Sequence, residues 1–383
     1  MINAIGIRFM LAGIVATVGL ALSGCGKSGG GDTIKVGEYS SLTGKEATFG
    51  QSSHEGTILA FDEINAAGGV LGKKLELLTE DTQSKAGESA TVVNKLIARD
   101  GVIAVLGEVA SSRSLEAARI CQESKVPMIS PSSTNPKVTE TGDYIFRVCF
   151  IDPFQGTVMA NFARKTLKAQ KVAVFTDAKS DYSKGLAHFF KQRFLENGGK
   201  ISTELDYNGG DKDFKAQLTS IKAAGADGVF IPGYYTDVAL ICIQAKQLGI
   251  NIPLFGGDGW ESEDLVKIGK EAVEGNYFST HYHPDVGTEQ SRRFVENYKK
   301  RYNGKNPDAL AAMGYDSAIV LVDAIKRAGS TDGAKVRDAL SATKSFDAVT
   351  GKITIDSKRD ASKAAVILQV KDGKYKYLET IQP

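Results

Sequence analysis

From residue 33 onward the chain alternates short apolar, β-rich runs with stretches whose apolar residues recur at helical spacing. Residues 34–39 form a β-rich run, and residues 40–50 read as a loop around the turn pair Thr43-Gly44. Ile58, Leu59, Phe61 and Ile64 then share one face of a helix that stops at Gly68-Gly69. The same alternation predicts strands at 74–79, 102–106 and 126–129, with helices marked by Ala90, Val93, Leu96 and Ile97 and by Leu115, Ala118 and Ile120. After Asp152-Pro153 the pattern restarts. Strands are predicted at 171–175, 200–205, 228–231 and 253–255, and helices at 182–194, 214–223 and 238–248. Two long helical patterns follow, 289–302 and 310–328, and then strand-like runs at 352–355, 364–370 and 375–378.

Strands that alternate with helices need crossover connections and hence parallel sheets. The expected fold class is α/β: two doubly wound parallel-sheet lobes joined by three hinge crossings. The two long helices bring no strands of their own, so they must cover an existing sheet. This places the return to the first lobe near 277–280 and a third crossing near 350–356. The expected organisation is residues 33–150 plus 280–352 in the N-terminal lobe and 151–279 plus 353–383 in the C-terminal lobe. A cleft between lobes, at the carboxyl ends of parallel strands, is a usual small-molecule site.

The first 32 residues follow a different rule. Arg8 precedes an apolar run from Phe9 to Leu22 that is shorter than the ~20 residues needed to span a bilayer. A basic start, an apolar stretch and small residues before a cleavage point make a signal peptide, assigned to 1–24. Leu22-Ser23-Gly24-Cys25 resembles a bacterial lipobox. That resemblance implies lipidation at Cys25, a flexible Gly/Ser linker over 25–32, and a body held at a bacterial membrane, in the periplasm or at the cell surface, through the lipid anchor alone.

Composition narrows the function. Hydrophobic residues are 42% and charged residues 24% of the chain, the balance of a globular protein. A formal charge of +2 gives no electrostatic case for nucleic acid. Besides Cys25 there are Cys121, Cys149 and Cys242, and sequence does not decide between a disulfide and three buried thiols. Gly26-Lys27-Ser28-Gly29-Gly30 matches a nucleophile-elbow pattern but lies in the linker, and it lacks the earlier glycine of a phosphate loop. His281-Tyr282-His283, in a chain with four histidines and no HExxH, reads as ordinary strand residues, so no metal and no cofactor are expected.

Two loops after predicted strands are rich in hydroxyls: Gly107-Glu108-Val109-Ala110-Ser111-Ser112 and Ser130-Pro131-Ser132-Ser133-Thr134-Asn135-Pro136. Hydroxyls and amides at a helix start suit a carboxylate, although Ser and Thr also serve there as helix caps and turn residues. In the second half, Asp181-Tyr182, Gly233-Tyr234-Tyr235 and Gly256-Gly257-Asp258-Gly259-Trp260 put a carboxylate among aromatic faces, which suits an ammonium group. Asp258 equally fits as the cap of a helix starting near Glu261. One anion corner and one cation corner together match a zwitterionic α-amino acid.

The chain resembles the branched-chain amino-acid-binding proteins of bacterial ABC importers, the periplasmic binding protein type I family. The resemblance rests on Ile34-Lys35-Val36-Gly37 with Ser41-Leu42-Thr43-Gly44, on 62–69 (DEINAAGG) and 72–77 (GKKLEL), and on Glu80-Asp81. It continues with 130–134 (SPSST), 181–185 (DYSKG) and 314–317 (GYDS). It implies that Ser111, Ser132 and Thr134 hold the ligand's carboxylate and amino end, and that Asp258 takes the ammonium. It further implies that Tyr182 and Tyr234 close over the ligand and that Phe49 faces its side chain. The implied function is a non-enzymatic, monomeric solute receptor that delivers an amino acid, branched-chain or otherwise apolar, to the permease subunits. A sensory module for a chemoreceptor or kinase, or a receptor for an amide, urea or aromatic carboxylate, are the alternatives. A hydrolase on this fold would need an activated nucleophile, and no cleft serine has a His near it in sequence. Two departures stand out. Gln83 and Ala110 occupy the positions of the family's first-lobe disulfide, and Asp258 is one carbon shorter than the Glu usual there.

Overall fold

The computed structural model describes residues 33–383; the segment read as a signal peptide with a lipobox, and Cys25, lie outside them. Five parallel strands and their crossovers open the chain: β1 (Ile34–Ser40), α1 (Ala47–Ala66), β2 (Leu75–Asp81), α2 (Glu88–Ala98), β3 (Val105–Leu106), α3 (Ser111–Ser124), β4 (Met128–Ser130), α4 (Lys137–Glu140) and β5 (Ile145–Arg147). They form one sheet in the order β2-β1-β3-β4-β5. A second array follows: α5 (Asp152–Lys165), β6 (Lys171–Asp177), α6 (Asp181–Glu196), β7 (Lys200–Tyr207), α7 (Lys215–Ala223), β8 (Gly228–Phe230), α8 (Tyr235–Gln247), β9 (Leu254–Gly256), α9 (Glu263–Gly269) and β10 (Tyr277–Thr280). The chain ends with α10 (Glu289–Arg301), α11 (Ala309–Ala328), α12 (Gly333–Ser341), the hairpin β11 (Phe346–Ala348) and β12 (Gly351–Ile353), and the strands β13 (Ala365–Lys371) and β14 (Lys374–Ile381). The second sheet runs β14-β13-β10-β9-β8-β6-β7. Strands β6 to β10 are parallel, and β13 and β14 join antiparallel at one edge.

Burial on both faces explains the continuous apolar runs, as expected of parallel strands. In the first lobe, Val36, Leu106 and Ile129 face Phe294, Met313 and Leu321 of α10 and α11. On the other side Tyr39, Val105 and Met128 meet Val93, Leu96 and Cys121 of α2 and α3. In the second lobe α7 and α8 cover one face through Leu218, Val238 and Ile241, and α5 and α6 cover the other through Met159, Leu186 and Phe190. The strandless helices predicted at 289–302 and 310–328 thus do cover the first sheet. α1 and α11 meet at glycines: a Cβ on Gly56 would sit 1.8 Å from the Ala311 carbonyl oxygen, and one on Gly314 2.1 Å from that of Ser53.

The chain passes between the lobes three times, at residues 148–151, 281–288 and 354–364. Buried ion pairs tie the crossings down. Arg147, at the first, is fully buried and pairs with Asp360 of the third at 2.7 Å. Lys363 of the third lies 3.8 Å from buried Asp316 on α11. Two details differ from the sequence expectation. Residues 277–280 are still an internal strand of the second sheet, so the second crossing begins at His281. The run at 352–355 turns back into a hairpin that packs Ile353 and Ile355 into the first lobe. Cys121, Cys149 and Cys242 are buried free thiols.

Candidate functional site

In both sheets the site loops leave the carboxyl ends of strands beside the point where strand order reverses, β1 beside β3 and β6 beside β8, where a crevice must open. The two hydroxyl-rich loops are wired together by one carbonyl. The Glu108 backbone oxygen accepts hydrogen bonds from Ser114 at 3.1 Å, Ser130 at 2.7 Å and Ser133 at 2.9 Å. Those three hydroxyls are therefore structural. The alternating members have other partners. Ser111, the first residue of α3, accepts a hydrogen bond on Oγ from the Asn135 amide at 3.3 Å. Ser132 Oγ lies 3.0 Å from His281 Nε2. Thr134 Oγ1 is buried with no hydrogen-bond partner. Arg147 donates to the Ser133 and Pro136 carbonyls and so fixes the second loop from below.

The facing lobe supplies Asp258. Helix α9 begins later, at Glu263, and is capped by Ser262, so the capping role open to Asp258 in the sequence is already filled. Its carboxylate is instead gripped by protein donors: Gln155 Nε2 at 2.8 Å from Oδ1 and His281 Nε2 at 3.1 Å from Oδ2. Tyr182 and Tyr234 lie with rings parallel, 5.2 Å between centroids, and Phe49 meets Tyr234 edge-on at 5.6 Å. The Gly259 amide donates to Tyr182 Oη at 3.1 Å, tying that ring to the Asp258 turn. Val109, Leu310 and Tyr235 extend the apolar wall around Phe49. All seven predicted ligand-binding residues thus line one inter-lobe region.

Three functional neighbours were missed or set aside. His281 read as an ordinary strand residue, yet it joins Ser132 to Asp258. Gln155 and Asp152 belong to α5, whose only sequence signal was Pro153 at its first turn. Burial pushes the Asp152 carboxyl up to about 8, and Asp258 nearby adds to the rise. Neither Asp152 oxygen, nor Gln155 Oε1, nor His281 Nδ1 has a hydrogen-bond partner. Burial holds the His281 ring below the usual imidazole range despite Asp258. Ser132, His281 and Asp258 do not form a nucleophilic relay, because Ser132 and Asp258 meet the same ring nitrogen, whereas a relay needs one on each. Among the described residues no cluster of three or more His, Cys, Asp or Glu could hold a metal ion.

The lobes touch across this region. Ser112 Oγ donates to Asp181 Oδ2 at 3.0 Å, Asn135 Nδ2 to the Asp181 carbonyl at 2.7 Å, and Thr236 Oγ1 to the Lys45 carbonyl at 2.6 Å. Glu261 accepts at 2.9 Å from the Ala309 amide, at the start of α11 in the other lobe.

Comparison with known proteins agrees with this architecture. The Leucine-, isoleucine-, valine-, threonine-, and alanine-binding protein of Pseudomonas aeruginosa is 32% identical over 331 residues, 86% of this chain and 87% of that one. The crystal structure of a leucine-binding protein, LivK, from Thermotoga maritima superposes with a TM-score of 0.89 at 43% identity, covering 92% of this chain and 99% of the other. LivJ, a branched-chain amino acid transporter substrate-binding protein of Streptococcus pneumoniae solved with isoleucine, gives 0.87 at 34% identity, covering 92% of this chain and all of its own. The family profile described as periplasmic binding protein matches residues 33–374, and the chain belongs to that family, with the type I fold and with Leu/Ile/Val-binding proteins among its relatives.

Proposed function

We propose that this protein is the extracytoplasmic receptor of an ABC importer, holding an apolar α-amino acid between its lobes and handing it to the permease. The observation that carries this reading is the opposed pair of corners. The hydroxyl loop with Ser111, Ser132 and Thr134 faces Asp258, and Phe49, Tyr182 and Tyr234 wall the space beside them. A ligand with a carboxylate, an ammonium and an apolar side chain satisfies all three. The relatives named for leucine, isoleucine and valine support the same ligand class. The purified body, residues 33–383, should gain thermal stability with a branched-chain amino acid, by about 2.7 kcal/mol at 100 times Kd. A screen against the twenty amino acids and small carboxylates tests this. A shift with benzoate or an amide and none with any amino acid would overturn it.

The receptor is held to the membrane through acylated Cys25, which the lipobox pattern supports. Cells fed a radioactive fatty acid should label the wild type and not Cys25→Ser. Label on the variant would remove the anchor.

A further inference from the structure

His281 stands where the second crossing leaves β10, with its ring against Phe150 of the first crossing, 4.0 Å between centroids. One ring nitrogen serves both corners of the site: Nε2 is 3.0 Å from Ser132 Oγ and 3.1 Å from Asp258 Oδ2. A bare Nε2 would set its lone pair against a carboxylate oxygen, so the proton sits on Nε2 and is shared between the two oxygens. Nδ1 is then the bare nitrogen, buried and without a partner. Gln155 holds the other Asp258 oxygen, so the carboxylate is aimed from both sides by neutral donors.

We propose that His281 is a positioning residue for the ammonium subsite, and that its protonated form competes with the ligand's ammonium for Asp258. The proposal rests on the reading of Asp258 as the ammonium's counter-ion. The groups that face the ring from the elements around it are few. Asp258 comes from the loop after β9 and Lys363 from the third crossing. Burial and Lys363 both disfavour a proton on His281, and Asp258 is the group that favours one. A ligand ammonium bound to Asp258 cancels that support, so ligand and proton exclude each other. Coupling of this kind is reciprocal. A proton that the ligand displaces must in turn weaken the ligand, by up to tenfold per pH unit below the ring's pKa in the free protein. The second crossing thereby links the lobes' closure to the charge state of the corner that recognises the ligand.

Leucine titrated calorimetrically between pH 7.5 and pH 5.0 tests this, since its own two charges are constant over that range. Wild type, His281→Gln and His281→Ala are compared. Gln places an amide N–H where Nε2–H stood but does not titrate. We expect wild-type Kd to rise on acidification, most steeply towards pH 5.0. His281→Gln should bind within a few fold of wild type at pH 7.5 and keep a nearly flat profile, and His281→Ala should bind weakly throughout. Superimposable profiles for wild type and His281→Gln would overturn the competition while leaving the amino-acid reading intact. If folded wild type binds neither leucine nor any other amino acid at pH 7.5, the counter-ion reading itself fails and the role of His281 with it.

Discussion

Asp258 is one methylene shorter than the Glu its resemblance led one to expect, and its neighbours show how the shorter residue is used. Gln155 and His281 grip it and leave its remaining lone pairs for a ligand. Truncating a buried, hydrogen-bonded charge partner costs about 2–5 kcal/mol, so Asp258→Ala should weaken leucine binding roughly 30-fold or more. Ser132→Ala removes one neutral donor to a charged group, ~1.5–3 kcal/mol, and should rank below it. Phe49→Ala should change side-chain preference more than affinity for the amino-acid end. Calorimetry on the three variants decides the order, and an unaffected Asp258→Ala would contradict it. Asp152 offers a pH test. Its folded pKa, about 8, lies above its unfolded value near 3.8, so its contribution to stability is complete below the unfolded pKa and is lost as pH rises through about 8. Asp152→Asn should therefore lose less melting temperature than wild type between pH 5 and pH 8.5, read by scanning calorimetry. Equal slopes would show that Asp152 is not the group responsible. Six of the seven candidate residues stand out in the sequence because each lies in a loop after a strand or in the first turn of the helix that follows, among glycines or hydroxyls, whereas Phe49 enters only through the family resemblance. His281 and Gln155 do not stand out, since a lone His on a strand end and a Gln on a helix carry no local pattern. Their role exists only once three separate segments converge.

The elements with a broad apolar signature, α1, α6, α8, α10 and α11, were readable from periodicity alone. α5 was not, although it is fourteen residues long, because the polar residues Asp152 and Gln155 lie on its buried face and blur the contrast with Thr157, Asn161 and Arg164 on the other. Three-residue β5 and nine-residue α12 went unread as well, although β8 and α7 of the same lengths were readable. The start of α11 shows what such elements do in context. Asp308 caps it within its own lobe, accepting from the Ala311 amide at 2.8 Å, while Glu261 accepts from the Ala309 amide out of the other lobe and is held by Thr280. Burial, with Asp308 close by, raises the Glu261 carboxyl above its ordinary range. A cap of this kind contributes about 1 kcal/mol, and here it contributes only while the lobes are together. Glu261→Ala should weaken leucine binding several fold with little change in the unbound protein's urea stability. Glu261→Gln, which keeps an acceptor oxygen, should restore most of the affinity. A loss of stability equal to the loss of affinity would make Glu261 an ordinary structural residue.

At the scale of the whole molecule, two crevices at strand-order reversals face each other across three crossings, so ligand contacts drawn from both lobes make bending the natural response to binding. Small-angle scattering on residues 33–383 should show a smaller radius of gyration with saturating leucine than without. An unchanged radius would remove hinge closure from the account. The α/β architecture with parallel sheets was legible in the sequence because strands and helices alternate in each half. The path of the crossings was less so, since β10 reads as a hinge until its pairing with β9 and β13 places it inside the second sheet. The central claim is that the cleft recognises an α-amino acid through both charges at once. The most direct measurement is a pair of calorimetric titrations at pH 7.5, one with leucine and one with 4-methylpentanoate, which has the same apolar chain and carboxylate but no amine. Binding of leucine with at least a 30-fold weaker response to the desamino acid is the predicted result. Equal affinity for the two would contradict the claim, because a cleft that ignores the ammonium leaves Asp258 without a ligand to serve.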